Sequence, residues 1–150
     1  MKKLISLSLL IAALFVAQNT LMAQLRKVPA AVTDAFKQKY PSASSVEWRD
    51  KVTYFVAGFS DNGTHYDARF TSKGEWKDTE TEIGADGIPA AVKDGLSKSK
   101  YADWEAHTAY EIQLPGDKKE YRVHVVKSDL QKKNLLFNSS GKLLKDNITL

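Results

Sequence analysis

The sequence predicts an α+β protein built from two tandem copies of one unit, a helix followed by four antiparallel strands. Three observations favour this fold class. The motif Val28-Pro29-Ala30-Ala31-Val32 returns sixty positions later as Ile88-Pro89-Ala90-Ala91-Val92. After each motif the spacing of apolar residues is first helical and then alternating. Turn residues divide each alternating region into four segments. Repetition at this period indicates that the two halves share one core.

The N-terminus has the three parts of a secretory signal peptide. Lys2 and Lys3 provide a positive start, residues 4–17 are almost entirely apolar, and Ala23 is a small residue at the expected cleavage site. A cut after Ala17 is the alternative. The apolar run is shorter than the roughly 20 residues that span a bilayer, so we expect cleavage and no stable membrane anchor. We assign residues 1–23 to the signal peptide and 24–150 to one domain, with repeats at about 27–83 and 87–150.

The signal peptide and the lack of cysteine together predict that the mature chain lies in the periplasm or outside the cell. The chain has no cysteine, which excludes a lipidated N-terminal cysteine and any disulfide. Stability in that compartment must then come from packing alone. The formal charge of +4 falls to +2 when Lys2 and Lys3 leave with the signal peptide. So small a charge gives no reason to expect a nucleic-acid partner.

The first helix is predicted to begin at Pro29, which suits the first helical turn, and to stop at Pro41. Its buried face is the apolar set Val28, Ala31, Val32, Ala35, Phe36 and Tyr40. In the second copy Gly95 stands where the first copy has Ala35. Glycine costs about 1 kcal/mol in helix propensity, so the second helix is expected to be shorter or frayed.

The strands of the first half are predicted at 46–49, 52–60, 66–70 and 75–81, and those of the second half at 104–114, 120–126, 134–137 and 143–148. Asn62-Gly63 is typical of a tight hairpin turn. Gly74 and Gly141 are 67 positions apart, whereas the helical motifs are 60 apart. About seven residues are therefore inserted in the second half. We place them in a longer first hairpin of the second half, around 114–119, which then projects as an asymmetric loop.

The second half indicates which face of the sheet is the core. Its second strand alternates the apolar set Tyr121, Val123 and Val125 with Arg122 and His124, so the apolar set is predicted to face the helices. Carrying this register back 67 positions gives the core set Tyr54, Val56 and Gly58. It leaves Phe55, Ala57 and Phe59 on the other, open face. In the third strands Tyr66, Ala68 and Phe70 are predicted to face the core, with His65, Asp67 and Arg69 outward.

The candidate binding face consists of aromatic, basic and apolar side chains: Phe55, Phe59, His65, Arg69, Arg122, His124 and Leu136. Such a mixture is typical of a protein interface. The alternative is burial of Phe55 and Phe59 within the fold, under the other repeat or the 114–119 loop, or through a register change at a bulge. The three tryptophans, Trp48, Trp76 and Trp104, are expected in the core or at its rim.

Several short motifs resemble one family. They are Tyr40-Pro41 after the first helix, the Tyr-x-Val strands at Tyr54 and Tyr121, and the Phe-x-x-x-Gly segments that begin at Phe70 and Phe137. With the signal peptide and the repeated opening, they are similar to the PepSY-like proteins of Bacteroidetes, over residues 27–148. That family is related in fold to the beta-lactamase inhibitor protein.

The resemblance implies one curved antiparallel sheet of about eight strands, with helices on the convex side and a concave face open to a partner. In the inhibitor relatives that face clasps an enzyme, whereas most PepSY-like members have no assigned target. This chain departs from the inhibitor in having no disulfides. Inhibition of a beta-lactamase would be an analogy of fold, which does not establish function.

Catalytic signatures are missing from the sequence. It has no nucleophile elbow, no His-Glu-x-x-His, no phosphate-binding loop and no cysteine. His65 and Asp67 share a strand face and could join His124 around a metal, but scattered histidines on an exposed sheet are usually ordinary polar residues. We assign no catalytic residue, no metal site and no cofactor, and we do not expect an enzyme.

The predicted function is an exported binding module, and the predicted partner is another envelope or secreted protein. The alternative is a carrier of a small ligand, such as a peptide, a glycan or a haem-like molecule, lying against Phe55, Phe59 and Arg122. The oligomeric state and the partner's identity stay open.

Overall fold

A computed structural model describes residues 27–146, which form two helices and eight strands. Helix α1 spans Ala30–Lys39 and helix α2 spans Ala90–Ser97. The strands are β1 Ser44–Asp50, β2 Tyr54–Asp61, β3 Thr64–Thr71, β4 Trp76–Glu82, β5 Glu105–Leu114, β6 Lys118–Ser128, β7 Gln131–Asn138 and β8 Leu143–Lys145. Neither described helix is long and apolar enough to cross a bilayer. The predicted signal peptide, its cleavage site and the predicted strand end at 147–148 lie outside the described residues.

The eight strands form one antiparallel sheet in which each strand pairs with the next along the chain. Strands β4 and β5 pair from Thr79 with Gln113 to Glu82 with Tyr110, and this pairing makes the sheet continuous. The predicted α+β class with eight antiparallel strands is confirmed. Helix α2 has 8 residues against 10 for α1, so the shorter second helix is also confirmed.

Both helices pack on the same face of the sheet, and each covers an apolar cluster. Under α1 lie Val32, Phe36, Phe55, Ala57, Phe59, Ala68 and Phe70. Under α2 lie Ile88, Val92, Tyr101, Ala109, Tyr121, Val123, Val125, Leu135 and Phe137. The Phe36 ring is 5.2 Å from the Phe59 ring centroid, in the edge-to-face arrangement that aromatic pairs favour. Burial of each large side chain contributes about 1.5–3 kcal/mol.

The predicted faces of β2 are wrong. Phe55 and Phe59 are 0% and 1% exposed and pack under α1. Since side chains alternate along a strand, Tyr54, Val56 and Gly58 point to the opposite, open face. The prediction that Phe55 and Phe59 belong to the open binding face is therefore wrong as well. The alternative of burial within the fold is correct, but α1 of the same half covers them, and neither the other half nor the 114–119 loop does.

A bulge in β6 is the reason for this error. Strands β2 and β3 pair without interruption, from Tyr54 with Thr71 to Asp61 with Thr64. In the second half Val126 pairs with Lys132 but Ser128 pairs with Gln131, which leaves Lys127 as an extra residue. Because of this extra residue, a face assignment that is carried from β6 to β2 at an offset of 67 is reversed for every residue of β2. The offset of 67 therefore holds between β3 and β7 but not between β2 and β6.

The inserted residues lengthen a hairpin and do not form a projecting loop. Leu114 pairs with Lys118 across a three-residue turn, so the predicted longer hairpin is present and only its projecting loop at 114–119 is wrong. Strands β5 and β6 have 10 and 11 residues, against 7 and 8 in β1 and β2. The added length of β5 includes Ile112 and Gln113, which pair with β4. The insertion thus supplies part of the seam between the two halves.

Gly95 is required by close packing in addition to its effect on helix length. A Cβ at Gly95 would lie 1.9 Å from the carbonyl oxygen of Gly141, in the turn before β8. Gly141 has φ +83°, and a Cβ there would lie 2.0 Å from the carbonyl oxygen of Ala91. The absence of both side chains lets α2 approach this turn.

Candidate functional site

The candidate site lies on the sheet face opposite the helices, here called the open face. His65 and Arg69 alternate with the helix-facing residues of β3, and Arg122 and His124 alternate with those of β6. Leu136 alternates in the same way on β7. Five of the seven predicted site residues therefore share the open face. Phe55 and Phe59, the other two, belong to the core.

At the centre of the open face Arg122 on β6 forms a two-pronged ion pair with Glu80 on β4. Its Nη1 donates to Oε1 at 3.1 Å and its Nη2 to Oε2 at 2.7 Å. The two side chains are 12% and 14% exposed. The guanidinium lies 4.6 Å from the ring centroid of Tyr110, on the strand between them. Its Nε is buried and has no hydrogen-bond partner among the described residues.

Glu80 also accepts a hydrogen bond from a second arginine. Nη2 of Arg69 donates to Oε1 of Glu80 at 3.0 Å, and its Nε donates to Asp78. Burial opposes the charge of Arg69, but the hydrogen bond and charges of Asp78 and Glu80 outweigh it and raise the Arg69 pKa. Burial also raises the pKa of Asp78, although Arg69 stabilises its carboxylate. Arg69 is therefore held in its charged form between two carboxylates.

A more exposed pair lies towards β1. Arg49 Nη2 donates to Oδ1 of Asp67, and Nε2 of His65 lies 3.5 Å from the same oxygen. Gly58 on β2 lies beneath them, because a Cβ there would come within 3.1 Å of Asp67 Oδ1. Because Gly58 has no side chain, the Asp67 carboxylate can lie close to the backbone of β2.

Two depressions mark the open face. One, of about 400 Å³, is lined by Thr64, His65, Asp67, Glu80, Thr81, Glu82, Tyr110 and Arg122. The other, of about 230 Å³, is lined by Arg49, Lys51, Tyr54, Val56, Asp67, Arg69, Glu80 and Arg122. They share the lining residues Asp67, Glu80 and Arg122, so the two depressions are adjacent, and together they are here called the open-face groove.

The groove includes three of the predicted residues, His65, Arg69 and Arg122. His124 and Leu136 do not line it. Nδ1 of His124 is 3.2 Å from Oδ1 of Asn134, and Leu136 is 9% exposed. Among residues 27–146 no three His, Cys, Asp or Glu side chains are placed to hold a metal, so His65, Asp67 and His124 do not form such a group.

The sequence analysis missed the residues that hold the two arginines, Asp78 and Glu80, and the ring of Tyr110 beneath Arg122. One signal was available: in β4 the acids at 78, 80 and 82 alternate with Thr79 and Thr81. That alternation places three carboxylates on one face of a strand.

Solved structures similar to this chain include three proteins from species of Bacteroides. A protein of Bacteroides eggerthii described as a "putative periplasmic" protein is 30% identical, with 80% of this chain and 88% of that chain covered and a TM-score of 0.70. A DUF2874 family protein of Bacteroides uniformis is 29% identical over 79% and 88%, with a TM-score of 0.71. A BLIP-like protein of Bacteroides fragilis is 29% identical over 79% and 84%, with a TM-score of 0.69.

No curated protein matches the chain. The sequence profile of one family does match, over residues 53–145, and that family is described as "putative beta-lactamase-inhibitor-like, PepSY-like". The matched residues run from the start of β2 to the end of β8 and so include nearly the whole sheet and every lining residue of the open-face groove except Arg49 and Lys51. With a sheet of eight antiparallel strands, two helices on one face and BLIP-like structural neighbours, the chain belongs to the PepSY-like family.

Proposed function

We propose that this protein is an exported binding module that holds another protein of the envelope or the secreted fraction against its open face. The observation that carries the proposal is the open-face groove, which lies on the side of the sheet that the two helices leave uncovered. The fold supports the proposal, because the chain belongs to a family described as inhibitor-like.

The lining of the groove favours a protein partner over a small ligand. Sites for small molecules are mostly apolar and bury most of the ligand surface. Here more than half of the lining side chains are charged, and His65 and Arg49 are 71% and 49% exposed. A broad surface of arginine, tyrosine and paired carboxylates is the chemistry of a wet protein interface. The proposed role is binding without catalysis.

Export is part of the proposal. The charged start, the apolar run and Ala23 support a cleaved signal peptide, and the absence of cysteine fits a product without a lipid anchor. The neighbour from Bacteroides eggerthii is described as periplasmic. We place the mature domain at residues 24–150.

We also infer that the two halves arose as repeats, at about 27–83 and 87–150. Each begins with a helix that follows a proline, and each continues into four strands. Val32 and Val92 occupy the same position in their helices, and Phe70 and Phe137 lie in corresponding strands. The bulge at Lys127 and the longer β5–β6 hairpin account for the uneven spacing between the copies.

The test is capture of partners by mature protein, residues 24–150, from the envelope and secreted fractions of its own organism. The test variant replaces three exposed groove residues, Lys51, His65 and Glu82, with alanine. A control variant replaces Asp34, Lys73 and Lys93, which are exposed elsewhere on the molecule. We expect a protein captured by the parent and the control but lost with the test variant. Capture that ignores the groove substitutions would contradict the proposal.

A further inference from the structure

The open-face groove has ends of opposite charge. The depression near Tyr54 is lined by four basic residues, Arg49, Lys51, Arg69 and Arg122, and by two acidic residues, Asp67 and Glu80. The depression near His65 is lined by three acidic residues, Asp67, Glu80 and Glu82, and by one basic residue, Arg122. The shared residues lie in the middle, so Lys51 marks the basic end and Glu82 the acidic end.

The charges at the centre are already engaged within the protein. Glu80 accepts hydrogen bonds from both Arg69 and Arg122, and Asp67 is paired with Arg49. Lys51 and Glu82 are exposed at the two ends, where Glu82 also accepts a hydrogen bond from the hydroxyl of Tyr110. A partner therefore meets a neutralised centre and two terminal charges of opposite sign.

The two ends are too far apart for one small molecule. The backbone N–H of Lys51 donates to the carbonyl of Tyr54, which pairs with Thr71 on β3. Glu82 lies at the level of His65, since the hydroxyl of the preceding residue, Thr81, donates to the His65 carbonyl. From His65 to Thr71 strand β3 advances by six residues, which is about 20 Å at the usual rise of about 3.3 Å per residue. A free amino acid is far shorter, whereas an extended segment of six or seven residues matches this length.

We propose that the groove recognises an extended segment of its protein partner that carries an acidic side chain over Lys51 and a basic side chain over Glu82. This inference rests on the proposed function and specifies the chemistry of the partner. Opposite charges at two separated points fix both the direction and the register of the bound segment, which is how electrostatic complementarity provides specificity.

The test uses two synthetic peptides of identical composition. In one, a lysine and an aspartate are separated by about five serine and threonine residues, which matches the length of the groove. In the other the two charged residues are adjacent. Each peptide is titrated at low salt into the mature protein, labelled with ¹⁵N, and amide chemical shifts are followed up to millimolar peptide.

We expect the spaced peptide to shift amides near Lys51 and near Glu82 together, with a lower Kd than the adjacent peptide. Lys51→Gln and Glu82→Gln should each weaken its binding about two- to fivefold, the usual range for one exposed ion pair. The control substitutions Lys73→Gln and Glu105→Gln should leave the Kd unchanged. Added salt should weaken the spaced peptide most.

Equal binding of the two peptides, shifts at one end alone or no saturable shift would overturn this inference. None of these results bears on the capture experiment, whose readout is loss of a whole protein partner with the groove variant. Capture that depends on the groove, together with failure of the spaced peptide, would leave the binding module standing and remove the charge pattern assigned to its partner.

Discussion

At the scale of single residues, Glu80 is the group on which the open face depends. Its carboxylate accepts three hydrogen bonds from two arginines that come from different strands. Arg122 is only 12% exposed, so water cannot replace a lost partner fully. A buried charge left without its counter-ion is far more costly than an exposed one. The same carboxylate therefore both orders the groove and stabilises the fold.

Replacing Glu80 with glutamine should lower the free energy of unfolding by about 2–4 kcal/mol, because Arg122 then keeps its charge without a carboxylate. The measurement is urea unfolding followed by far-UV circular dichroism. Glu105, whose side chain is 83% exposed, provides the control, and Glu105→Gln should change stability by less than about 0.5 kcal/mol. Equal effects of the two substitutions would show that the ion pair is not structural.

The carboxyl of Asp78 should titrate at a higher pH than those of Asp103 and Asp146. Burial raises the Asp78 pKa, whereas hydrogen bonds from Lys127 and Lys100 lower the pKa values of Asp103 and Asp146. Carboxyl ¹³C NMR titration measures all three. Arg69→Gln should raise the Asp78 pKa further, because the hydrogen bond that stabilises its carboxylate is lost.

The signs of the linked stability effects differ. The folded protein holds the Asp78 proton more tightly than the unfolded chain, so the contribution of Asp78 to stability is largest below its unfolded pKa and is lost as the pH rises through its folded pKa. Asp103 and Asp146 act in the opposite sense. Their contributions are present above the unfolded pKa and are lost as the pH falls through the folded values. Titration of Asp78 below Asp103 and Asp146 would contradict this assignment.

At the scale of elements, the pairing of β2 with β3 and the position of α1 decide which side of β2 is buried. Strand β2 carries five consecutive buried residues, from Phe55 to Phe59, so its own pattern does not distinguish the two faces. The pairing of Phe55 with Phe70 sets its register, and α1 covers the side that bears the two phenylalanines. On the open side Val56 is 5% exposed and lines the groove between longer polar side chains.

Phe59→Ala should lower the free energy of unfolding by about 3–5 kcal/mol, because it empties a site that Phe36, Tyr40 and Tyr66 surround. Leu130→Ala is the matched control, since Leu130 is 97% exposed. Both are measured by urea unfolding at one pH. If the Phe59→Ala protein folds and is as stable as the control, the assignment of Phe59 to the core is wrong and the residue belongs to the open face.

Gly95→Ala should destabilise the protein by about 1–3 kcal/mol, although alanine favours a helix by about 1 kcal/mol. The physical reason is the Gly141 carbonyl oxygen, 1.9 Å from the position of the added Cβ, because backbone at that distance must move. Thermal unfolding of Gly95→Ala beside Lys93→Ala, an exposed position of the same helix, separates packing from propensity. A Gly95→Ala protein that melts above the parent would show that α2 does not touch the turn.

At the scale of the whole molecule, two apolar clusters share one sheet. Each half has about sixty residues, a length at which a domain buries only about 60% of its unfolded surface and is marginal alone. Four residue pairs between β4 and β5 join the halves, and the ion pair between Glu80 and Arg122 spans that seam. We therefore expect each half to fold only when its edge strand, β4 or β5, pairs with the edge strand of the other half.

The two clusters should unfold in a single transition. Trp48 and Trp76 pack against the first cluster and Trp104 against the second, so they report on separate halves. One variant keeps Trp104 alone, and another keeps Trp48 and Trp76, with phenylalanine at the remaining positions. In each variant the urea midpoint from tryptophan fluorescence should coincide with that from far-UV circular dichroism. Separate midpoints would mean that the halves are independent domains.

Local patterns in the sequence determined the order of the elements. Proline and the 3.6-residue spacing located both helices, and alternation with turn residues located all eight strands, because these signals depend on neighbours along the chain. The motifs at Tyr40-Pro41, Tyr54 and Phe70 were also enough to identify the family.

Only the tertiary structure decided which side of β2 is buried and which charges meet on the open face. The bulge at Lys127 shifts the correspondence between β6 and β2 by one residue. Because side chains alternate between the two faces along a strand, a shift of one residue exchanges the faces. Glu80, Arg69 and Arg122 come from three strands, so their separation in the sequence gives no sign that they touch. The position of Gly95 against Gly141 likewise depends on how α2 packs on a distant turn. The sequence alone therefore determined where helices and strands form, and packing across the sheet determined the site.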